Sequence, residues 1–324
     1  MIPIRDNYPT RTLPVGTWLI IVITFLVFLF QWQAGFNNEL IFYLFGLVPG
    51  KYTLSELSRH FTLLNLVVSP FTYMFFHGGF WHFVGNMWFL YIFGDNVESH
   101  LGTFRFLAFY ILSGLASGLL HFMFNPLSPT PTIGASGAVA GVMGAYFLLY
   151  PRAKILTVIP ILIFPWFIDI PAFIFLGIWF VLQFINATGA GMGSGIAWWA
   201  HIGGFIAGMV LIHMNRKLPG TGASQRLYRF TQRKKTPKLQ VISTLPRPNT
   251  LDLHGDIEIS SLEALTGARK RVTVTHGLYR PLYRVVIPAG IRQGTRLRLN
   301  GLGRALPGGQ KGDLYLRVMI KNVI

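Results

Sequence analysis

Four polar side chains of this chain lie inside long apolar stretches: His82, Asn86, Ser136 and His201. A polar group surrounded by lipid is costly, so each one is expected to have a function and a partner. A serine hydroxyl becomes an effective nucleophile when an adjacent base takes its proton, and His201 is an available base for Ser136. The set therefore predicts acyl transfer, with Ser136 as the nucleophile and His201 as the general base.

The same residues supply hydrogen-bond donors for a developing oxyanion. The amides around Ser136 fall in the first turn of a predicted helix, where they lack intrahelical acceptors and lie at the positive end of the dipole. His82 and Asn86 stand at positions i and i+4, so both can donate to one point. No carboxylate lies at this depth of any apolar stretch. A Ser/His dyad is therefore predicted rather than a triad.

Other side chains are given no part in this chemistry. The chain has no cysteine, which excludes thiolate catalysis and cysteine-based zinc sites, and we expect no cofactor and no metal ion. Asp95 and Glu98 are expected to be solvated or paired with a nearby arginine. The remaining histidines lie at the ends of apolar stretches or between them, and none is assigned to catalysis: His60, His77, His100, His121, His213, His254 and His276.

Glycines indicate how the two helices that carry Ser136 and His201 meet. Small residues spaced four apart let helix backbones approach closely in a membrane. Two such faces packed together would bring the serine and the histidine within hydrogen-bonding distance. Glycine-rich apolar helices are common, and a lone intramembrane histidine is more often structural, so the prediction depends on all four polar residues occurring together. The glycines on the two faces are Gly134, Gly137, Gly141 and Gly144, and Gly204 and Gly208.

The elements that must position these residues are apolar segments long enough to cross a bilayer. The chain is 52% hydrophobic and only 12% charged, which is typical of a membrane protein. Six windows predict transmembrane helices: 15–32, 78–94, 106–124, 133–150, 170–185 and 196–213. The second, fourth and sixth run in the same direction, so the four polar residues fall at a similar depth. Residues 155–168 are predicted to lie at the membrane interface.

The placement of lysine and arginine predicts the orientation of the bundle. With the N-terminus inside, the segments on the cytoplasmic side carry Arg5, Arg11, Arg105, Arg152, Lys154, Arg216 and Lys217. The loops at 125–132 and 186–195 carry neither residue type. The chain is therefore expected to be a multi-pass protein of the plasma membrane, in contact with the lipid bilayer, with both termini in the cytoplasm.

The C-terminal third differs from the rest of the chain. Residues 216–324 carry a net charge of about +16, against about +1 for residues 1–215. Residues 216–249 are rich in Pro, Gly, Ser and Thr and predict a basic linker. Strands are predicted at 251–259, 272–275, 283–287, 295–299 and 313–320, with a capping box at 260–263 that opens a short helix. Nucleic acid is not expected as a partner, because the basic residues alternate with strand-core residues.

These elements predict an all-α polytopic membrane bundle of six transmembrane helices over residues 1–215, then the linker, then a small all-β, sandwich-like soluble domain over 250–324. The bundle contains four motifs: Phe-His-Gly-Gly-Phe-Trp-His at 76–82 with Gly85 and Asn86, Gly-Asp-Asn-Val-Glu at 94–98, Gly-Ala-Ser-Gly at 134–137, and Ala-His-Ile-Gly-Gly at 200–204. In order and spacing these motifs resemble those of the rhomboid intramembrane serine proteases.

The resemblance implies the fold and the activity of that family. Ser136 would be the nucleophile, His201 the base, and His82, Asn86 and the Ser136 amide the oxyanion hole. The substrates would be transmembrane proteins cleaved near the outer face of the membrane. Some family members have an aromatic residue four positions after the serine, where this chain has Ala140. A non-enzymatic membrane adaptor built on the same bundle is the alternative.

Residues 250–322 are similar to the C-terminal substrate-binding domain of DnaJ-type co-chaperones. The similarity lies in Val-Ile-Pro-Ala-Gly-Ile at 286–291, Gly-Thr-Arg-Leu at 294–297, Gly-Leu-Gly at 301–303 and Gly-Asp-Leu-Tyr at 312–315. It implies a module that binds unfolded polypeptide along a sheet edge. A folded tail that serves as a scaffold or contacts the lipid surface is an equal alternative.

Overall fold

The computed structural model describes residues 1–8, 10, 12–35, 39–161, 164–189, 196–215, 239–246, 250–275, 282–304 and 311–321. The chain divides into two units, Met1–Thr231 and Gln232–Ile324. Each unit is described by itself below. Most of the predicted linker, residues 216–238 and 247–249, lies outside the described residues.

The first unit is mainly helical. Its helices are α1 (Val15–Gln33), α2 (Glu39–Phe45), α3 (Gly50–Thr53), α4 (Ser55–Ser58), α5 (Leu63–Thr72), α6 (Phe80–Leu101), α7 (Thr103–Phe124), α8 (Ser136–Leu149), α9 (Ala172–Gly189) and α10 (Trp198–Asn215). Each of the six predicted windows overlaps one helix: α1, α6, α7, α8, α9 or α10. Among the described residues, α1, α7 and α9 are long and apolar enough to cross a membrane. The structure thus has three candidate spans, and six remains a prediction.

Helix α8 lies at the centre of this unit. It is buried continuously from Gly137 to Tyr146. It packs against α6, α7, α9 and α10. A helix that is apolar all round is stable only when it is buried on every side, and the sequence of α8 has no polar face. The other helices therefore assemble around the one that begins with Ser136.

Strands occupy most of the segment 155–168, whose predicted place at the membrane interface stays a prediction. Strands β2 (Lys154–Ile161) and β3 (Phe164–Pro171) pair antiparallel, and β1 (Ile2–Asp6) pairs with the other edge of β2. Pro160 breaks the apolar pattern, but the register of β1 on β2 reaches only Val158. The missing N–H of Pro160 therefore costs no hydrogen bond with β1.

Strand β1 is attached to the helices through Asp6. The Asp6 carboxylate accepts hydrogen bonds from Asn96 Nδ2 of α6 at 2.6 Å and from Tyr146 Oη of α8 at 2.5 Å. Trp88 Nε1 of α6 donates to the Pro3 carbonyl at 2.6 Å. Burial raises the pKa of Asp6 to about 6. Two helices and the sheet therefore meet at a single carboxyl group.

Glu98 is not solvated and pairs with no arginine among the described residues, so the expectation for this residue was wrong. It is 1% exposed, and its carboxylate accepts hydrogen bonds from the Gly16 and Thr17 amides at 2.7 and 2.8 Å. The Thr17 and Thr103 hydroxyls donate to it as well, at 2.9 and 2.6 Å. An anion is stabilised at a helix N-terminus by the free amides and the dipole. Glu98 thus caps α1 and joins it to the start of α7.

The described residues of the second unit form strands and one short helix. The strands are β4 (Leu239–Ser243), β5 (Leu245–Pro246), β6 (Leu253–Ser260), β7 (Ala268–Thr275), β8 (Leu282–Ile287), β9 (Arg296–Leu299) and β10 (Leu314–Lys321), with α11 (Ser261–Thr266) between β6 and β7. They form two sheets, in the orders β5-β6-β10-β9 and β4-β7-β8. Residues from both sheets share one apolar core, including Ile257, Val272 and Leu316. This is the predicted β-rich region.

The local details of this unit match the sequence in most places. The predicted capping box is present, with Ser260 as the N-cap of α11 and Glu263 bonded back to it. Glu263 also forms a buried ion pair with Lys270 at 2.5 Å. Strands β4 and β5 lie within 216–249, so part of the predicted linker is strand.

The cap on α1 can be tested by replacing Glu98. Glu98→Ala leaves two buried amides without an acceptor, and each lost bond to a charged group costs about 1.5–3 kcal/mol. We expect the free energy of unfolding in detergent to fall by about 3 kcal/mol or more, measured by thermal or denaturant unfolding. Glu56→Ala is the control, because the Glu56 side chain is 86% exposed and pairs only with Arg59 at 3.8 Å among the described residues. Equal stability of the two variants would contradict the capping role.

Candidate active site

Ser136 and His201 are in direct contact. Ser136 is the first residue of α8, and His201 lies in the first turn of α10. Ser136 Oγ is 2.8 Å from His201 Nε2. The contact that the glycine faces predicted is therefore present, and its geometry suits transfer of the hydroxyl proton to the imidazole.

The backbones of α8 and α10 touch at glycines. A Cβ added at Gly204 would lie 1.9 Å from the Gly137 carbonyl oxygen, and one added at Gly208 would lie 1.9 Å from that of Gly141. No side chain fits at these distances. The two helices therefore approach as closely as they do only because these positions are glycine.

Helix α7 contributes small residues to the same contact. A Cβ at Gly137 would lie 1.8 Å from Ser117 Oγ, and one at Gly141 would lie 2.5 Å from Ser113 Oγ. Ser117 Oγ donates to the carbonyl of Ala200, the residue before His201, at 2.7 Å. The serines of α7 thus help to fix the start of α10. Sequence reasoning treated only two of the three helices in this contact.

Gly134 has a different position from the one predicted. It precedes α8 and has φ +132, so it is not part of the glycine face of the helix. A Cβ at Gly134 would lie 3.0 Å from His82 Nε2 and 3.6 Å from Ser136 Oγ. Gly134 therefore leaves room for the His82 ring beside the serine.

His82 and Asn86 lie on α6 as predicted. The Gly78 amide approaches His82 Nδ1 at 3.4 Å, which favours the hydrogen on Nε2, the nitrogen near Gly134. Asn86 Nδ2 donates to the carbonyl of His82 at 2.9 Å, and Asn86 is 7% exposed. The structure thus brings His82 beside Ser136 and uses one amide hydrogen of Asn86 within α6. Among the described residues, no group of three or more His, Cys, Asp or Glu side chains could hold a metal ion.

Two family models match the chain. The rhomboid domain model matches residues 65–217, which include all four predicted site residues, and the DnaJ C terminal domain model matches residues 251–323. Residues 65–217 are thus similar to rhomboid domains, and residues 251–323 are similar to DnaJ C-terminal domains. Rhomboids are intramembrane serine proteases, and the apolar helices agree with a membrane protein.

Curated relatives match both domains. The chain is 31% identical over 170 residues to Rhomboid protein 1, mitochondrial, of Saccharomyces cerevisiae, covering 49% of this chain and 44% of that protein. It is 31% identical over 198 residues to Rhomboid protease GluP of Bacillus subtilis, covering 60% of this chain and 34% of that protein. It is 38% identical over 69 residues to DnAJ-like protein slr0093 of Synechocystis, covering 21% of this chain and 20% of that protein. The matches thus span less than half of each relative's length.

His77 also contributes to the geometry of the rhomboid domain, although sequence reasoning assigned it no part. The Ala135 amide approaches His77 Nε2 at 3.4 Å, and the rings of His77 and His82 are 5.2 Å apart. The Gln31 side chain of α1 donates to the His77 carbonyl and accepts from the His77 amide, both at 3.0 Å. His77 thus supports the residue before Ser136 without touching Ser136. Its position directly before Gly78 and Gly79 was the available sequence signal.

Gln183 is the second residue that sequence reasoning missed. It lies on α9, is 6% exposed, and its Oε1 is 2.8 Å from His201 Nδ1. It is the one polar side chain in the window 170–185. Its place alone in an otherwise apolar window was the available sequence signal, the same signal that singled out Asn86.

The close approach of α8 and α10 predicts a sharp difference between two glycines. Gly204→Ala should push the helices apart and break the bond between Ser136 and His201, because the new methyl group overlaps the Gly137 carbonyl. We expect the free energy of unfolding to fall by about 1–3 kcal/mol because of overpacking. Ser136 should also lose its reactivity toward a fluorophosphonate. Thermal unfolding and labelling rates in detergent measure the two effects.

Gly177→Ala on α9 is the matched control. A Cβ at Gly177 has no neighbour within 4 Å, and alanine favours helix over glycine by about 1 kcal/mol. This variant should be as stable as the parent or more so. Labelling of Gly204→Ala at the parent rate would show that the contact does not depend on glycine.

Proposed function

We propose that the chain is an intramembrane serine endopeptidase that cleaves transmembrane proteins near the outer face of the membrane. The observation that carries the proposal is the 2.8 Å contact between Ser136 Oγ and His201 Nε2, within residues that match the rhomboid model. The proposal includes six membrane crossings, a plasma-membrane location and cytoplasmic termini. The matched relatives include mitochondrial and bacterial proteins, so they do not indicate in which membrane this chain lies.

The geometry supports a two-step reaction. Ser136 Oγ attacks the carbonyl carbon of the scissile bond while its proton passes to His201 Nε2. The negative oxygen that forms accepts hydrogen bonds from the Ser136 amide, His82 and Asn86. His201 then gives the proton to the leaving amine, and water hydrolyses the acyl-enzyme with His201 again as the base. Apart from the substrate and water, this chemistry uses side chains and backbone amides of the chain.

The start of α8 supplies the amide donor in this scheme. The first intrahelical hydrogen bond runs from the Val139 amide to the Ala135 carbonyl at 2.9 Å. The amides of residues 136–138 come before this bond and have no acceptor within the helix. Such amides carry the positive end of the helix dipole. Loss of one oxyanion donor typically costs about 100- to 1,000-fold in kcat.

A direct test compares the full chain with Ser136→Ala and His201→Ala in proteoliposomes that contain a transmembrane substrate. Both variants should lose at least about 1,000-fold in cleavage rate, because nucleophile and base act as a unit. A fluorophosphonate should label the parent protein and not Ser136→Ala. Cleaved products are measured by mass spectrometry.

Ser55→Ala and His60→Asn are the controls, because both residues are exposed and lie between α3 and α5. They should cleave like the parent. Cleavage by Ser136→Ala at the parent rate would refute the proposal. A parent protein that binds membrane helices but neither cleaves nor reacts with the probe would favour the non-enzymatic adaptor.

The second domain supports an additional proposed function, the binding of unfolded polypeptide. DnaJ C-terminal domains bind polypeptides, and residues 251–323 match their model. Both edge strands of the sheet β4-β7-β8 expose apolar side chains: Leu239 54%, Val241 69%, Leu282 57% and Val286 61%. An extended peptide could add to such an edge through its main chain and place apolar side chains against these residues.

This function predicts a loss of peptide binding when the edge strands carry charge. The double variant Val241→Glu and Val286→Glu should bind a labelled, unfolded apolar peptide at least about tenfold more weakly, measured by fluorescence polarisation. Leu265→Glu is the control, because Leu265 is 72% exposed on α11. Unchanged binding by the double variant would place the peptide elsewhere or exclude this function.

A further inference from the structure

The Gln183 side chain has a fixed orientation between two partners. Its Nε2 donates to the carbonyl of Trp179, one turn back on α9, at 3.1 Å. Its Oε1 lies 2.8 Å from His201 Nδ1. A carbonyl oxygen can only accept a hydrogen bond, so the amide atom that faces Trp179 must be the NH₂ group. The amide oxygen therefore faces His201.

This orientation determines which nitrogen of His201 carries the hydrogen. The Gln183 oxygen can only accept, so Nδ1 must donate to it. In a neutral imidazole the other nitrogen, Nε2, then has a free lone pair. That lone pair faces Ser136 Oγ at 2.8 Å. The ring is thus held in the one neutral tautomer that can accept the serine proton.

We propose that Gln183 is a positioning residue that selects and orients the base-competent tautomer of His201. The proposal rests on the proposed peptidase function. It replaces the predicted dyad with a chain of four groups, from the Trp179 carbonyl through Gln183 and His201 to Ser136. Gln183 does not touch the reacting atoms, so it acts only through His201.

A neutral amide suits this position better than a carboxylate. A buried charge at a membrane-embedded site costs several kcal/mol, whereas a hydrogen-bonded amide costs far less. The Gln183 oxygen still fixes the tautomer and the ring plane. Residue 140, four after the serine, is alanine and offers no ring to stack on His201. The rings of Trp179 on α9 and Trp198 on α10 each lie 6.0 Å from that of His201, so they pack near the imidazole while Gln183 selects its tautomer.

The experiment compares three variants of the full chain in proteoliposomes with a transmembrane substrate. Gln183→Leu removes the acceptor and keeps the volume nearly constant. We expect kcat to fall about 10- to 100-fold with KM within about twofold, because the substrate is bound as before and only the base is misplaced. Gln183→Glu keeps an acceptor of the same reach, so its kcat should lie between those of the parent and Gln183→Leu, while its thermal midpoint should fall because a carboxylate is buried.

Asn186→Leu is the matched control. Asn186 Nδ2 donates to the Leu182 carbonyl at 2.7 Å, so it makes the same bond one turn back on the same helix as Gln183 does. Loss of that bond tests the structural contribution of such an amide to α9. This variant should retain the parent kcat, and its thermal midpoint measures the effect on stability of losing the bond within α9 alone.

A spectroscopic measurement separates positioning from packing. ¹⁵N NMR of labelled histidine should show His201 protonated at Nδ1 in the parent, and a mixture of tautomers in Gln183→Leu. A parent-like kcat in Gln183→Leu, or an unchanged tautomer, would overturn the proposal. Cleavage by Ser136→Ala would instead refute the peptidase function itself, so the two failures are distinguishable.

Discussion

The site depends on one contact between two helix backbones. Gly204 and Gly208 of α10 lie against the carbonyls of Gly137 and Gly141 of α8, with no room for a side chain on either glycine of α10. Lipid tails are as apolar as the helix surfaces, so close packing rather than hydrophobic burial must hold such helices together. The serine and the histidine meet one turn from this contact, at a distance that a single methyl group would change.

Around this contact, uncharged groups position the site and charged groups lie away from it. Gln31 supports the backbone of His77, Ser117 supports that of Ala200, and Gln183 orients His201. The carboxylates of Asp6 and Glu98 instead join β1 and α1 to other elements. This division follows from the cost of charge in lipid, since neutral hydrogen bonds give orientation without it.

Features that depend on the length of apolar runs and on the spacing of small residues could be predicted from the sequence. The six windows, the meeting of Ser136 with His201 and the cap at Ser260 follow from local pattern. The strands at 154–171 were missed because an apolar run is compatible with several structures, and the pairing strand β1 lies far away in sequence. The partners of Glu98 and Gln183 are also distant, at Gly16 and His201, and only the folded chain brings them together.

The pairing of β1 with β2 sets an order on biosynthesis. Ile2 pairs with Val158, so β1 has no partner strand until the ribosome has synthesised helices α1 to α8 and then β2. During that interval the hydrogen-bonding edge of β1 has no partner strand, and Asp6 has not yet bound Tyr146. Contacts between such distant residues form late, because a long loop must close before they can stabilise anything. The sheet therefore forms only after α6 and α8 have been synthesised, and from then on β1 joins these two helices through Asp6.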